Sequence, residues 1–196
     1  MDGTPKILPA TALTSAEDLV QAGLADASAV DDLARVAETF RIRVTPVMQQ
    51  HSPGIARQFV PDTREMLTRP EELADPIGDA AHSPVPGLTH RYPDRAILHI
   101  TQTCDVYCRF CFRREVVGAA GPLPPDQLSA ALDYVAATPA LREIILTGGD
   151  PLTLSPRRLA SVLERLDAIP HLDVIRLHSR VPVVAHKQLA TGTRRI

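Results

Sequence analysis

Residues 96–111 read AILHITQTCDVYCRFC, an apolar run that leads directly into the three cysteines of the chain. The apolar run predicts a buried β-strand. Cys104, Cys108 and Cys111 follow it with the spacing C-x3-C-x2-C. Because their number is odd and they share one loop, a disulfide framework is a poor explanation. Clustered thiols in a chain with no recognisable export signal indicate a metal site in a reducing compartment.

The spacing of the cysteines favours one kind of metal site. Three thiolates from one loop suit a [4Fe–4S] cluster whose fourth iron has no protein ligand. Such an iron can be chelated by S-adenosylmethionine (SAM), whose sulfonium then accepts an electron. Structural zinc, which needs four ligands, and inert buried cysteines remain open as alternatives. His99 on the strand does not complete a zinc set.

The segment after the cysteines alternates strands with helices. Strands are predicted at 96–101, 143–147 and 173–178, and helices at 125–137 and 155–168. This order is typical of parallel strands joined by right-handed crossovers. In such folds the chemistry gathers at the carboxyl ends of the strands. We therefore predict an α/β fold with a partial parallel (β/α) barrel.

The first 93 residues predict a helical and irregular wrapping segment that precedes the barrel. Ser15 has the character of a helix cap, and a second helix is predicted at 28–40. Frequent prolines between residues 45 and 93 exclude long helices there. We divide the chain into 1–93, the N-terminal segment, and 94–196, the first part of the barrel. Three strands do not close a barrel, so we expect the sequence to be incomplete at its C-terminal end.

Composition excludes several classes of partner. The chain has 196 residues, 44% of them hydrophobic and 22% charged, with a formal net charge of −2. This balance gives no electrostatic reason to expect nucleic acid or an anionic membrane. No apolar run approaches the ~20 residues of a membrane helix. We expect a cytoplasmic protein.

Four stretches resemble a known family. The cysteine loop resembles the signature of the radical SAM superfamily. The stretches that resemble the lysine 2,3-aminomutase family within it are SPVPGLTHRYPDR at 83–95, TCDVYCRFCFRR at 103–114, LTGGDPL at 146–152 and HSRVPVV at 178–184. The resemblance covers roughly residues 44–187. The stretch HRYPDR at 90–95, at its fixed distance before the cysteines, narrows the resemblance from the superfamily to the aminomutases.

The resemblance implies a role for each stretch. Cys104, Cys108 and Cys111 would hold the [4Fe–4S] cluster. The residues expected to bind SAM are Gly148, Gly149, Asp150, Ser179 and Arg180. Those expected to bind the phosphate of pyridoxal 5′-phosphate (PLP) are Arg91, Tyr92 and Arg95, and Arg113 is expected to pair with the carboxylate of the substrate. The alternatives are an ordinary strand-to-helix turn at Gly148–Asp150, a structural ion pair at Ser179–Arg180, a solvated loop with ion pairs at Arg91–Arg95, and a surface charge at Arg113.

The family implies a radical isomerase that converts L-lysine to β-lysine with SAM and PLP. It also implies an external one-electron reductant, and a homo-oligomer is possible. Neither Lys6 nor Lys187 matches the PLP-anchoring lysine of the family, so we assign no catalytic residue and expect the chain alone not to complete the isomerisation. Three alternatives stay open: an aminomutase acting on the pathway that modifies elongation factor P, a radical SAM enzyme without PLP, and an inactive fragment.

Overall fold

The computed structural model describes residues 11–50 and 53–186. The chain forms two compact units. Unit 1 contains the described residues up to Glu72 together with Asp105–Glu115, and unit 2 contains Leu73–Cys104 and the described residues from Val116 onward. These units are defined by packing, and the division at residue 93 stays a prediction. Lys6 and Lys187 lie outside the described residues.

Unit 1 consists of short helices and irregular backbone. Its α-helices are α1 (Ala16–Gln21), α2 (Val30–Thr39) and α3 (Pro53–Ala56), with 3₁₀ turns at Ala27–Ala29, Met48–Gln50 and Thr63–Met66. Ser15 caps α1 as predicted: its hydroxyl accepts the Asp18 N–H at 3.1 Å, and the Asp18 carboxylate accepts the Ser15 N–H. The helix predicted at 28–40 is confirmed as α2, which begins at Val30. The residues immediately before it form a 3₁₀ turn.

Unit 2 is built on a four-stranded open sheet. Its strands are β1 (Leu88–Tyr92), β2 (Arg95–Thr101), β3 (Glu143–Gly148) and β4 (Val174–Leu177), in the spatial order β1-β2-β3-β4. Its α-helices are α4 (Pro125–Ala136), α5 (Pro156–Asp167) and α6 (Val181–Val184), and 3₁₀ turns lie at Ala80–His82 and Pro151–Thr153. β2, β3 and β4 are parallel, as predicted. The fold is α/β, and its open sheet is consistent with part of a radical SAM barrel.

β1 was not predicted from the sequence. It runs antiparallel to β2, and Tyr92 pairs with Arg95 across a tight turn made by Pro93 and Asp94. The frequent prolines between residues 45 and 93 led us to expect an irregular wrapping segment up to residue 93. The proline lies in the turn, where its missing N–H costs no ladder hydrogen bond.

The core of unit 2 lies between the sheet and the crossover helices. Leu98 on β2 and Leu146 on β3 are neighbours in register, and both are fully buried. They belong to one apolar cluster with side chains from α4 and α5: Ala131, Leu132, Val135, Leu159, Val162 and Leu166. This packing fixes β2 and β3 side by side, so the loops at their carboxyl ends are neighbours as well.

We expect Leu146→Ala to lower the free energy of unfolding by about 2–5 kcal/mol, because it removes a buried side chain and leaves a cavity. The matched control is Leu73→Ala, since Leu73 is 68% exposed. The control should change the free energy by no more than about 0.5 kcal/mol. Urea unfolding followed by circular dichroism measures both, and equal effects would contradict the packing described.

Candidate cofactor-binding site

Gly148 ends β3 and Gly149 follows it, at a point where the backbone of the loop after β2 passes very close. Gly148 has φ +106°, and a Cβ on it would lie 2.8 Å from the carbonyl oxygen of Thr101. A Cβ on Gly149 would lie 2.8 Å from the carbonyl carbon of Thr103. The N–H groups of Gly149 and Asp150 donate to the carbonyls of Thr101 (2.5 Å) and Thr103 (2.8 Å). Glycine is therefore required here by backbone contact immediately before Cys104.

Asp150 joins the end of β3 to the end of β4. Its carboxylate is buried, and Oδ1 accepts the Leu152 N–H at 3.0 Å. Oδ2 accepts the N–H groups of Arg180 (2.7 Å) and Val181 (3.2 Å). An ionised carboxylate is a strong acceptor for backbone N–H groups. Asp150 thus holds the loop after β4 in place, a role that sequence reasoning did not foresee.

Ser179 and Arg180 lie at the carboxyl edge of the sheet, next to the loop after β3. The Ser179 hydroxyl accepts the Val181 N–H at 3.1 Å, and both residues are half-buried. Asp150 connects them to Gly149, so the structure brings the five residues assigned to SAM together at one edge of unit 2. Their contact with SAM stays a prediction.

The three cysteines are of intermediate exposure. Cys104 ends a segment of unit 2, whereas Cys108 and Cys111 belong to unit 1. The Cys111 N–H donates to the Cys108 carbonyl at 3.1 Å, and the Arg114 N–H donates to the Cys111 carbonyl at 3.2 Å. The second and third cysteines therefore lie on consecutive tight turns. Among residues 11–50 and 53–186, no group of three His, Cys, Asp or Glu side chains is already arranged around a metal position.

Arg109, between the second and third cysteines, has a side chain that is held by several hydrogen bonds. Its guanidinium bonds both carboxylate oxygens of Glu65, at 3.0 and 2.6 Å, and it also donates to the carbonyl of Arg41 at 2.9 Å. Both side chains of the pair are about nine-tenths buried. Its backbone N–H donates to the carbonyl of Gln58 at 2.8 Å. Sequence reasoning missed this pair, since nothing in the spacing links two residues 44 positions apart.

Arg113, which we expect to pair with a substrate carboxylate, is half-buried in unit 1. Its guanidinium carbon lies 4.5 Å from the centroid of the Phe112 ring. A planar cation held against an aromatic face has a restricted orientation. The predicted role in substrate binding remains a prediction.

The three residues expected to bind PLP phosphate lie at the other end of the sheet. Because β1 is antiparallel, its last residues, Arg91 and Tyr92, are beside Arg95 at the amino end of β2. Arg91 donates to the Ile77 carbonyl and lies 3.7 Å from the Asp79 carboxylate. Arg95 lies 3.7 Å from Glu143. The structure therefore groups these residues with each other and separates them from Gly148–Asp150.

The model of the radical SAM superfamily matches residues 98–187. This interval contains the cysteine loop, the turn at Gly148–Asp150 and the loop after β4. The chain is also similar to curated bacterial proteins named L-lysine 2,3-aminomutase. Together these comparisons support a place for this chain near the lysine 2,3-aminomutases of the radical SAM superfamily.

Three relatives illustrate the similarity. The protein of Fusobacterium nucleatum is 38% identical over 184 residues, which is 90% of this chain and 43% of the relative. That of Bacillus subtilis is 41% identical over 154 residues, covering 75% and 33%. That of Escherichia coli is 42% identical over 139 residues, covering 70% and 40%. The chain thus spans between a third and about two fifths of these relatives.

A membrane-spanning helix is not found in the part of the chain that the structure describes, since none of its helices is both long and apolar enough.

Gly149→Ala should disrupt the loop before Cys104, because the new Cβ would overlap backbone atoms that cannot rotate away. We expect the free energy of unfolding to fall by about 2 kcal/mol or more and proteolysis to increase near residues 102–104. Gly121→Ala is the matched control, since a Cβ there meets nothing within 4 Å. If the two variants unfold alike, the close approach is not a constraint.

Glu65→Gln should destabilise unit 1 by about 3 kcal/mol, because Arg109 loses the charge that compensates its burial. Glutamine keeps the size of the side chain and an acceptor for the Asp62 N–H, which Glu65 also binds. Asp32→Asn is the control, since it breaks the exposed pair with Arg35. Denaturant unfolding of both variants gives the comparison, and equal small losses would mean that the Arg109–Glu65 pair contributes little.

Proposed function

We propose that the chain carries the cluster-binding and SAM-binding part of a radical SAM aminomutase that acts on lysine. The observation that carries this proposal is the C-x3-C-x2-C loop directly after β2, in a chain 38–42% identical to three proteins named L-lysine 2,3-aminomutase. The proposed reaction is migration of the amino group of L-lysine from C2 to C3, which gives β-lysine.

The cysteines fit a [4Fe–4S] cluster by the chemistry of their donor atoms. Thiolates are the usual ligands of iron–sulfur clusters, and all three cysteines lie within eight residues of one chain. When bound, the cluster supplies the electron that cleaves the S–C5′ bond of SAM. Arg109 would keep the turn from Cys108 to Cys111 fixed through its bonds to Glu65.

The carboxyl edge of the sheet supports the proposed SAM contacts. In the turn after β3, the N–H groups of Gly149 and Asp150 are bonded to the carbonyls of Thr101 and Thr103. The backbone of this turn is therefore rigid, and a ligand can lie against it. Asp150 would act by positioning Arg180 and Val181 at the rim, with an ammonium group as a further partner of its carboxylate.

PLP, the reductant and the cellular compartment are proposed from the family. Arg91, Tyr92 and Arg95 offer two guanidinium forks and a phenol, which suit a phosphate dianion. An external one-electron donor would reduce the cluster, and lysine would pair through its carboxylate with Arg113. Three cysteines clustered in one loop agree with a cytoplasmic location.

A radical SAM reaction without PLP is the second candidate. The observation that favours it is the position of Arg91, Tyr92 and Arg95, which lie at the amino end of β2 instead of the carboxyl edge. Absorbance of bound PLP in the purified protein, lost in Arg91→Gln, would favour the aminomutase. A protein that binds SAM and cluster but takes up no PLP would favour the second candidate.

Anaerobic reconstitution with iron and sulfide, followed by low-temperature electron paramagnetic resonance, tests the main proposal. We expect a reduced [4Fe–4S]⁺ signal that changes on addition of SAM, since one iron is left without a protein ligand. Cys108→Ala should lose the signal and most of the iron. His82→Ala is the control, since His82 is an exposed side chain with no assigned role.

Two outcomes would overturn this proposal. A colourless protein that binds one zinc ion would mean that the cysteines form a structural zinc site. A cluster whose signal is unchanged by SAM would mean that no iron is open to a ligand.

A further inference from the structure

Unit 1 contains a cavity of about 530 Å³ that none of the roles above uses. Its polar rim is formed by four arginines and three carboxylates, and an apolar part is formed by Val60, Pro61 and Leu67. Cavities of this size accommodate small organic molecules. Its charged side chains are Arg57, Arg64, Arg109, Arg114, Asp62, Glu65 and Glu72.

Four of these charges already neutralise one another. Arg109 and Glu65 form the buried pair described above. Arg64 bonds both oxygens of Asp62, at 2.9 and 2.6 Å, and this hydrogen bonding lowers the pKa of Asp62 to about 2. Asp62 therefore stays ionised at neutral pH and keeps Arg64 occupied.

The remaining charges are two arginines and one carboxylate. In the described part of the chain, the guanidinium of Arg57 makes no ion pair or hydrogen bond. Arg114 rests on the ring of Phe40, 4.1 Å from its centroid, and approaches Glu65 only to 3.9 Å, beyond hydrogen-bonding distance. Its N–H groups are therefore available, while Glu72 is exposed and provides one opposing charge.

We propose that this cavity binds a small organic anion through Arg57 and Arg114. Guanidinium forks bind carboxylate and phosphate groups in bidentate fashion. The volume exceeds that of an inorganic ion, so the ligand carries an apolar body that covers Val60 and Leu67. Because the Arg114 N–H bonds the Cys111 carbonyl, an occupied cavity also restrains the turn that follows the third cysteine.

Isothermal titration of the purified chain tests the proposal with phenyl phosphate, benzoate and inorganic phosphate as probes. We expect one equivalent of an aromatic anion to bind, and inorganic phosphate to bind more weakly. Tighter binding of phenyl phosphate assigns the ligand to the phosphate esters, and tighter binding of benzoate assigns it to the carboxylates. Hydrogen exchange at residues 108–114 should slow when the probe binds.

Arginine variants make the test specific. Arg57→Gln and Arg114→Gln should each weaken binding at least about tenfold, as expected for loss of a charge-assisted bidentate contact. Arg69→Gln is the control, an exposed arginine outside the cavity, and should change affinity less than twofold. Arg57 is exposed, so its variant is informative even if Arg114→Gln does not fold.

The proposal fails if neither aromatic anion binds, or if Arg57→Gln and Arg69→Gln weaken binding equally, because binding would then reflect general surface charge. It does not rest on the radical reaction. Loss of anion binding with an intact SAM-sensitive cluster would reject this inference alone.

Discussion

The close approach of Gly149 to Thr103 is the constraint on which the carboxyl edge of unit 2 depends. Parallel pairing of β2 with β3 brings two loops side by side, and both carry backbone N–H and carbonyl groups that need partners. The loops satisfy each other through bonds from Gly149 to Thr101 and from Asp150 to Thr103. Any side chain at 149 would separate them. The first cysteine is thus attached to a backbone that the sheet itself holds in place.

A different interaction fixes the second and third cysteines. The Arg109 guanidinium is buried, and an unpaired buried charge costs several kcal/mol, so Glu65 must remain opposite it. Three further bonds reinforce this anchoring: Arg109 to Arg41, Tyr107 to Arg43 and Arg109 to Gln58. Within unit 1 the residues flanking Cys108 therefore have little freedom. The Arg109–Glu65 ion pair thus fixes the backbone around Cys108, just as the backbone hydrogen bonds of Gly149 and Asp150 fix the backbone before Cys104.

The sequence predicted those features that depend on short-range pattern. Alternating apolar runs identified β2, β3 and β4 together with α4 and α5, because strand and helix periods are visible within a dozen residues. β1 was missed, since Pro93 masked a strand that ends just before it. The partners of Asp150 and Arg109 were also missed, because they lie 30 and 44 residues away and depend on tertiary packing. Residue types at the site were predictable, whereas the contacts that position them were not.

The proposed PLP site lies at the amino edge of the sheet, and its position there is harder to reconcile with the reaction than the position of the proposed SAM site at the carboxyl edge. β2 has seven residues, so the two edges are separated by ~20 Å. At the amino edge Arg91 is paired with Asp79, and Arg95 with Glu143, which also binds Arg176 at 2.5 Å. A phosphate there would have to compete with these carboxylates. The contacts of Arg91 and Arg95 with them are long, at 3.7 Å, so a dianion with bidentate geometry could displace them. The clamp is then chemically reasonable, but PLP held by it can meet SAM only if another element brings the two edges together.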